Sequence, residues 1–237
     1  GTSPQSATTH RPETISPQAT RPPAPATTGG EAERSRKPLY GEGIDAPKLN
    51  AVMAVYFFAT YTVLAVAFNL PFLMQHYGMS SSASGMMISI FFLAIMLPGF
   101  FITQILDRLG RNSVFISFGM ITAGLALILL LHREPVIALG SFLVGAGYGI
   151  LQPIAYDKTV IIARPDKAIF ALSLTMAASY LAIVVYPFIM AFFQGIFDDT
   201  SASFPFLVNG ILTLLVAVAG YRYRHTFTFG VDPSKLK

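Results

Sequence analysis

Cysteine is absent from all 237 residues. That removes disulfides, thiolate metal ligands and thiol nucleophiles, while leaving the redox compartment open. Charge is scarce: Asp, Glu, Lys and Arg make up 12% of the chain, against about a quarter in a typical soluble domain. None of these residues lies deep within any long apolar run. The histidines, His10, His76, His132 and His225, sit in the tails or at the ends of those runs and do not form a metal-ligand group. Ser and Thr are spread along the runs as helix-packing residues and are not paired with a base. An enzyme is therefore not expected, and no cofactor or metal is implied. The formal net charge of +4 does not point to nucleic acid, because the basic residues are not gathered on one soluble face.

What the chain does have is apolar length. Hydrophobic residues reach 53% and mean hydropathy is +0.58, with the charges confined to connections, so the solvent is a bilayer. The chain opens on Gly and shows no signal peptide, so a piece of a longer protein or a processed product is expected. Residues 1–50 are rich in Pro, Thr, Ser and Ala. Their stretch from Arg21 to Gly30 cannot build a core, so they read as a disordered linker or tail. Six apolar segments follow, at 51–76, 84–105, 113–131, 135–156, 167–194 and 204–221. Each is close to the roughly 20 residues that carry a helix across the hydrocarbon. Every backbone group in hydrocarbon needs an internal partner, so segments this apolar are helices. The expected fold is an all-α membrane protein, with a six-helix transmembrane domain at 51–223 and a tail at 224–237. Pro71, Pro98, Pro153 and Pro187 lie in or near span ends and are expected to kink their helices.

Lys and Arg give the orientation. With the first tail in the cytoplasm, the inside holds Lys48, Arg108, Arg111, Lys158, Arg164, Lys167, Arg222 and Arg224. The outside holds Arg133 beside Glu134, together with Asp198 and Asp199. This positive-inside asymmetry places both ends of the chain in the cytoplasm.

The connection between spans two and three carries the most compact charged cluster, Asp107-Arg108-Leu109-Gly110-Arg111. As a bare sequence it reads as a tight turn over 104–112, with Gly110 supplying the bend. It also resembles the loop signature of the major facilitator superfamily, Gly-x-x-Asp-Arg-x-Gly-Arg-Arg/Lys. Asp107, Arg108, Gly110 and Arg111 match, whereas Gln104 replaces the leading Gly and Asn112 the final basic residue. Both departures suit the carboxy-terminal half of such a protein, where the signature is degenerate. Gly145-Ala146-Gly147-Tyr148-Gly149, followed by Pro153, is similar to the fourth span of a half in the same superfamily. Taken alone, those glycines signal close helix packing. They do not make a phosphate loop, since no strand precedes them and no Lys-Ser/Thr follows.

The resemblance covers about residues 49–225. It implies one six-helix half, built of two three-helix repeats, whose partner is the amino-terminal six-helix half of the same protein. Asp107, Arg108, Gly110 and Arg111 would then form a gating loop that contacts the opposite half. A small-molecule substrate and membrane lipids are the other partners. A proton is a candidate coupling ion, although its carboxylate would have to lie outside these spans.

Polar residues at helical spacing nominate the substrate face. Ser141, Gly145, Tyr148, Gln152 and Tyr156 align on span four; Tyr61, Ala65 and Asn69 on span one; Ser173, Ala177 and Tyr180 on span five. Tyr61, Asn69, Tyr148, Gln152 and Tyr180 are the expected substrate-binding residues. Interhelical hydrogen bonding is the competing role for each of them. The expected activity is secondary active transport of a small organic solute by alternating access, with efflux favoured. The alternatives are a half-size homodimeric transporter and a non-transporting six-span scaffold.

Overall fold

The computed structural model describes residues 43–222, and at Arg111 the backbone alone. Most of the expected first tail and all of the last therefore lie outside the described residues. All regular structure in the described region is helical, in the order α1 (Ala46–Leu64), a π turn (Ala65–Asn69), α2 (Leu70–His76), α3 (Ser81–Phe100), α4 (Ile102–Leu109), a 3-10 turn (Gly110–Asn112), α5 (Ser113–Leu130), α6 (Glu134–Ile162), α7 (Ala168–Phe197) and α8 (Phe204–Arg222). Six of these stretches are long and apolar enough to cross a membrane: Ala46–His76, Ser81–Phe100, Ser113–Leu130, Glu134–Ile162, Ala168–Phe197 and Phe204–Arg222. They fall on the six segments expected from hydropathy.

The helix ends follow local chemistry. α1 begins at Ala46, ahead of the expected residue 51, because Asp45 caps it. The Asp45 carboxylate accepts from the Lys48 backbone N–H at 3.3 Å and pairs with the Lys48 ammonium at 2.7 Å. Those contacts, led by the Lys48 hydrogen bond, hold the Asp45 carboxyl below its usual range. A depressed carboxylate stabilises the fold above its ordinary pKa, and that stability disappears as the pH falls through the lowered value. Asp45→Ala should cost about 0.5–2 kcal/mol at neutral pH. Thermal unfolding should show that deficit shrinking in strongly acidic buffer. α3 likewise starts on a cap, with Ser80 accepting from the Ala83 backbone N–H at 3.2 Å.

One expectation is corrected. Residues 104–112 are not simply a tight turn. After Pro98 and Gly99 the third helix breaks at Phe101, and a new short helix, α4, leads into the 3-10 turn. Its sequence explains this. Ile102, Ile105, Leu106 and Leu109 recur at helical spacing and pack against the core, while Thr103, Gln104, Asp107 and Arg108 face outward. An apolar stripe of that period keeps a helix alive along the bundle surface. The bend itself sits at Gly110, with φ 52° and ψ −126°, a region a side chain enters only at a cost of about 1–3 kcal/mol. Gly110→Ala should lower the thermal midpoint accordingly, even though no atom would crowd the added methyl.

Packing positions the bundle. α6 contacts α3 and α5, α1 contacts α7 and α6, and α5 contacts α8. The first span of each three-helix repeat thus packs on the second span of the other repeat. The close fit of α6 comes from its glycines. A β-carbon at Gly145 or Gly149 would overlap the backbone carbonyl of Phe91 or Ile95 on α3. One at Gly147 would stand 2.6 Å from the Ser117 carbonyl on α5, and one at Gly140 2.7 Å from that of Gly124. α6 is therefore wedged between two neighbours by side chains it lacks, as small residues allow in lipid. Pro153 and Pro187 lie inside α6 and α7, which run on through them. At the side opposite the chain ends, the Tyr77 and His132 rings approach to 3.9 Å, and partial burial pushes the Tyr77 hydroxyl up.

Candidate functional site

Two polar clusters interrupt the apolar interior, and span one takes part in both. The first joins α1 to α6. The Tyr56 and Tyr156 hydroxyls are 2.9 Å apart, Tyr148 donates to the Tyr56 hydroxyl at 3.3 Å, and Thr60 meets the Tyr148 hydroxyl at 3.1 Å. Gln152 donates to the Tyr156 hydroxyl at 3.4 Å. The rings reinforce the network: Tyr56 stacks on Tyr148 at 6.1 Å and meets Tyr156 edge-on at 5.4 Å. Aromatic pairs at these separations add about 0.5–1.5 kcal/mol to the area they bury.

The second cluster joins span one to α7 and α8. Asn69, at the end of the π turn, donates its side-chain amide to the Tyr186 hydroxyl at 2.7 Å. The Tyr61 and Tyr186 rings lie 5.1 Å apart. On α8, the Asn209 amide N–H donates to the Pro205 carbonyl at 2.7 Å and faces the Met190 sulfur of α7 at 3.8 Å. The Tyr61 hydroxyl and the Asn209 carbonyl oxygen are buried without a hydrogen-bond partner.

These clusters sort the expected substrate residues. Tyr148 is buried, and its hydroxyl is occupied by Thr60 and Tyr56. Gln152 and Tyr156 are only half-buried and present the edge of that network outward. A void beside Tyr56, lined by Val52, Val55, Leu151 and Ile154 among others, measures about 10 Å³. It has room for about one water. Tyr61 and Asn69 are brought together around Tyr186 and stand apart from Tyr148. Tyr180 points the other way: it is 66% exposed on the far face of α7, as is Ser173. Within the expected span-four stripe, Gly145 is spent on packing against α3, and Ser141 is buried with its hydroxyl unpaired.

Tyr56, Thr60, Tyr186 and Asn209 are the residues that sequence reading did not nominate. A signal for Tyr186 was present, since Thr175, Ser179, Ala182 and Tyr186 repeat at helical spacing on α7 and are all buried. That stripe competes with Ser173, Ala177 and Tyr180, and hydropathy alone ranks neither first.

The expected gating residues lie at the side of the bundle that carries the chain ends. Asp107 and Arg108 are exposed on α4, and the bend is at Gly110. The Arg111 side chain is outside the described residues. Among the described residues the one ion pair is Lys48–Asp45, so Asp107 reaches outward without an ionic partner in it. The family model of the Major Facilitator Superfamily matches residues 52–234, a stretch that contains the bundle, both clusters and this loop. The chain belongs to the Major Facilitator Superfamily. It is an integral multi-pass membrane protein of a transport family, and its six spans are those of one superfamily half. No curated protein matches the sequence.

Proposed function

We propose that this chain is the carboxy-terminal half of a secondary active transporter that carries a small, uncharged or weakly polar organic solute by alternating access, in the direction of efflux. The observation that carries this reading is the half-exposed Gln152–Tyr156 edge of the α1–α6 network. It offers an amide, a phenol and aromatic faces, and no charged side chain lies deep in the described spans to favour an ionic cargo. Burying a charged solute against such a face would leave its charge unpaired, at a cost of several kcal/mol. A neutral solute gains stacking and one or two hydrogen bonds there.

In this reading the amino-terminal half covers the exposed faces of α3 and α7, and the two bundles rock about a site between them. The residues ahead of α1 join the halves, both ends of the chain are cytoplasmic, and the protein resides in the cell (inner) membrane. A coupling proton would titrate on the other half.

Flux assays on the full-length protein in proteoliposomes test the proposal, with a panel of neutral, cationic and anionic organic compounds. Neutral compounds should show carrier-dependent flux. Flux confined to the ionic compounds, or none at all, would refute it. For a transported compound, Gln152→Ala should raise KM roughly tenfold, the loss of about one good hydrogen bond. Tyr180→Ala should alter KM or the substrate range as well, because in this reading the exposed α7 face looks onto the site between the halves.

A further inference from the structure

The sense of the hydrogen bonds in the α1–α6 network fixes what its outer edge offers a solute. Each phenol has one proton to give and an oxygen that can accept. Thr60 can give its proton to the Tyr56 carbonyl at 2.9 Å or to the Tyr148 hydroxyl at 3.1 Å. Tyr148 can give its own to Thr60 or, at 3.3 Å, to the Tyr56 hydroxyl. The contact between Tyr56 and Tyr148 runs in that one direction, because only Tyr148 is angled to donate. Among the described residues the Tyr56 proton then has one acceptor, the Tyr156 oxygen 2.9 Å away.

Water offers no substitute. Tyr56 is 2% exposed, and apart from Tyr56 itself the void beside it is lined by aliphatic side chains. A buried water needs two to four polar partners, which such a lining does not supply. A buried O–H left unpaired is costly, so the Tyr56 proton stays on Tyr156. Tyr156 therefore accepts twice, from Tyr56 and, at 3.4 Å, from the Gln152 amide. Its own proton has no acceptor within the network. The residue is half-buried, so that proton turns to the open side. The outcome is the same whichever way Thr60 and Tyr148 share their protons.

We propose that Tyr56 is a positioning residue that makes Tyr156 a hydrogen-bond donor toward the solute. The solute class is then the neutral acceptors, molecules that lay a carbonyl, amide or ether oxygen on Tyr156. The inference rests on the Gln152–Tyr156 edge being the solute face, and it narrows what that face takes. A group that only donates would meet a proton with a proton at Tyr156 and leave both unpaired, the situation by which hydrogen-bonding sites reject mismatched analogues.

Three probes on one bicyclic skeleton separate the cases. Indanone has a carbonyl that accepts, indole an N–H that donates, and indane neither. Their binding to the full-length protein in lipid nanodiscs is read from the shift each gives in thermal midpoint. Tyr156→Phe keeps the ring and removes the proton. It should weaken indanone about tenfold, the loss of about one good hydrogen bond, and leave indole and indane within about twofold of the parent. Should that variant not be monodisperse, O-methyltyrosine at position 156 keeps the accepting oxygen, lacks only the proton and should give the same pattern. Tyr56→Phe lets the Tyr156 proton turn inward and bare a lone pair, so indole should bind roughly threefold tighter. No binding of indanone to the parent would overturn the proposal. So would an equal loss for all three probes, or a loss confined to indole, in Tyr156→Phe. Unchanged indole binding in Tyr56→Phe would overturn the role given to Tyr56. The measurement needs no flux, so failed flux with this binding pattern intact would sink the transport reading alone.

Discussion

Alanine at both Gly145 and Gly149 is expected to prevent this half from assembling. Each added methyl would overlap a backbone carbonyl of α3, at Phe91 and at Ile95. A backbone atom in a helix cannot rotate aside as a side chain can, so α6 and α3 would have to separate. Overpacking of this kind costs about 1–3 kcal/mol per site, while the gain in helix propensity from Gly to Ala returns at most about 1 kcal/mol each. At the upper end of that range the pair loses about 4 kcal/mol net, a sizeable share of the about 5–15 kcal/mol that holds an ordinary protein folded. It also falls at the centre of the bundle, where α6 touches α3, α5 and α1. Size-exclusion profiles in detergent should show the double variant aggregated or absent. Gly119→Ala and Gly195→Ala are the controls, since an added methyl meets nothing within 4 Å at either position; both should match or slightly exceed the parent in thermal midpoint. A monodisperse double variant with the parent's midpoint would show that α6 does not sit as tightly on α3 as described.

Asp107→Asn should separate transport from folding. Asp107 lies in the last turn of α4 and is exposed. A carboxylate near a helix C-terminus is opposed by the helix dipole, at about 0.3–1 kcal/mol. Its charge therefore does nothing for its own helix, and the isosteric amide should leave the melting temperature unchanged or slightly raised. If the carboxylate contacts the opposite half in one conformation, its loss removes a coupling energy typically worth 5- to 150-fold. The expected result is flux reduced by about that factor, with membrane insertion and expression intact. Parent-like flux would remove Asp107 from the gate. A lowered melting temperature would mean that it serves the fold instead.

The legibility of the site was uneven, and the reason is geometric. A helical repeat shows which residues share a face, but not which way that face turns. On α7 two polar stripes compete. One carries Ser173 and Tyr180 and points away from the bundle; the other carries Thr175, Ser179 and Tyr186 and is buried. On span one, Tyr61 and Asn69 were placed on one face by regular spacing. They do gather around one partner, Tyr186, but through a π turn that no composition rule foretells, since Ala65-Val66-Ala67-Phe68-Asn69 contains neither Gly nor Pro. Pro71, just beyond, was the available sign, and it announced only a kink. The stretch 104–112 departs from a simple turn for a related reason: Ile102, Ile105, Leu106 and Leu109, set among its charges, continue the helical spacing and pack on the core.

The charged stretch Asp107–Arg111, the six apolar lengths and the asymmetry of Lys and Arg were determined by the sequence itself. Each depends on composition along the chain and on the thickness of a bilayer, which no neighbour alters. The small residues at Gly145, Gly147 and Gly149 were also readable as packing residues, because only close approach rewards them in lipid. Tertiary structure alone decided how each helix is rotated about its axis. For α6 that rotation is fixed when its glycines seat on the carbonyls of α3 and α5, and for α7 by its packing on α1. It brings Tyr56 against Tyr148 and Tyr156, turns Tyr186 toward Asn69, and leaves Tyr180 facing out.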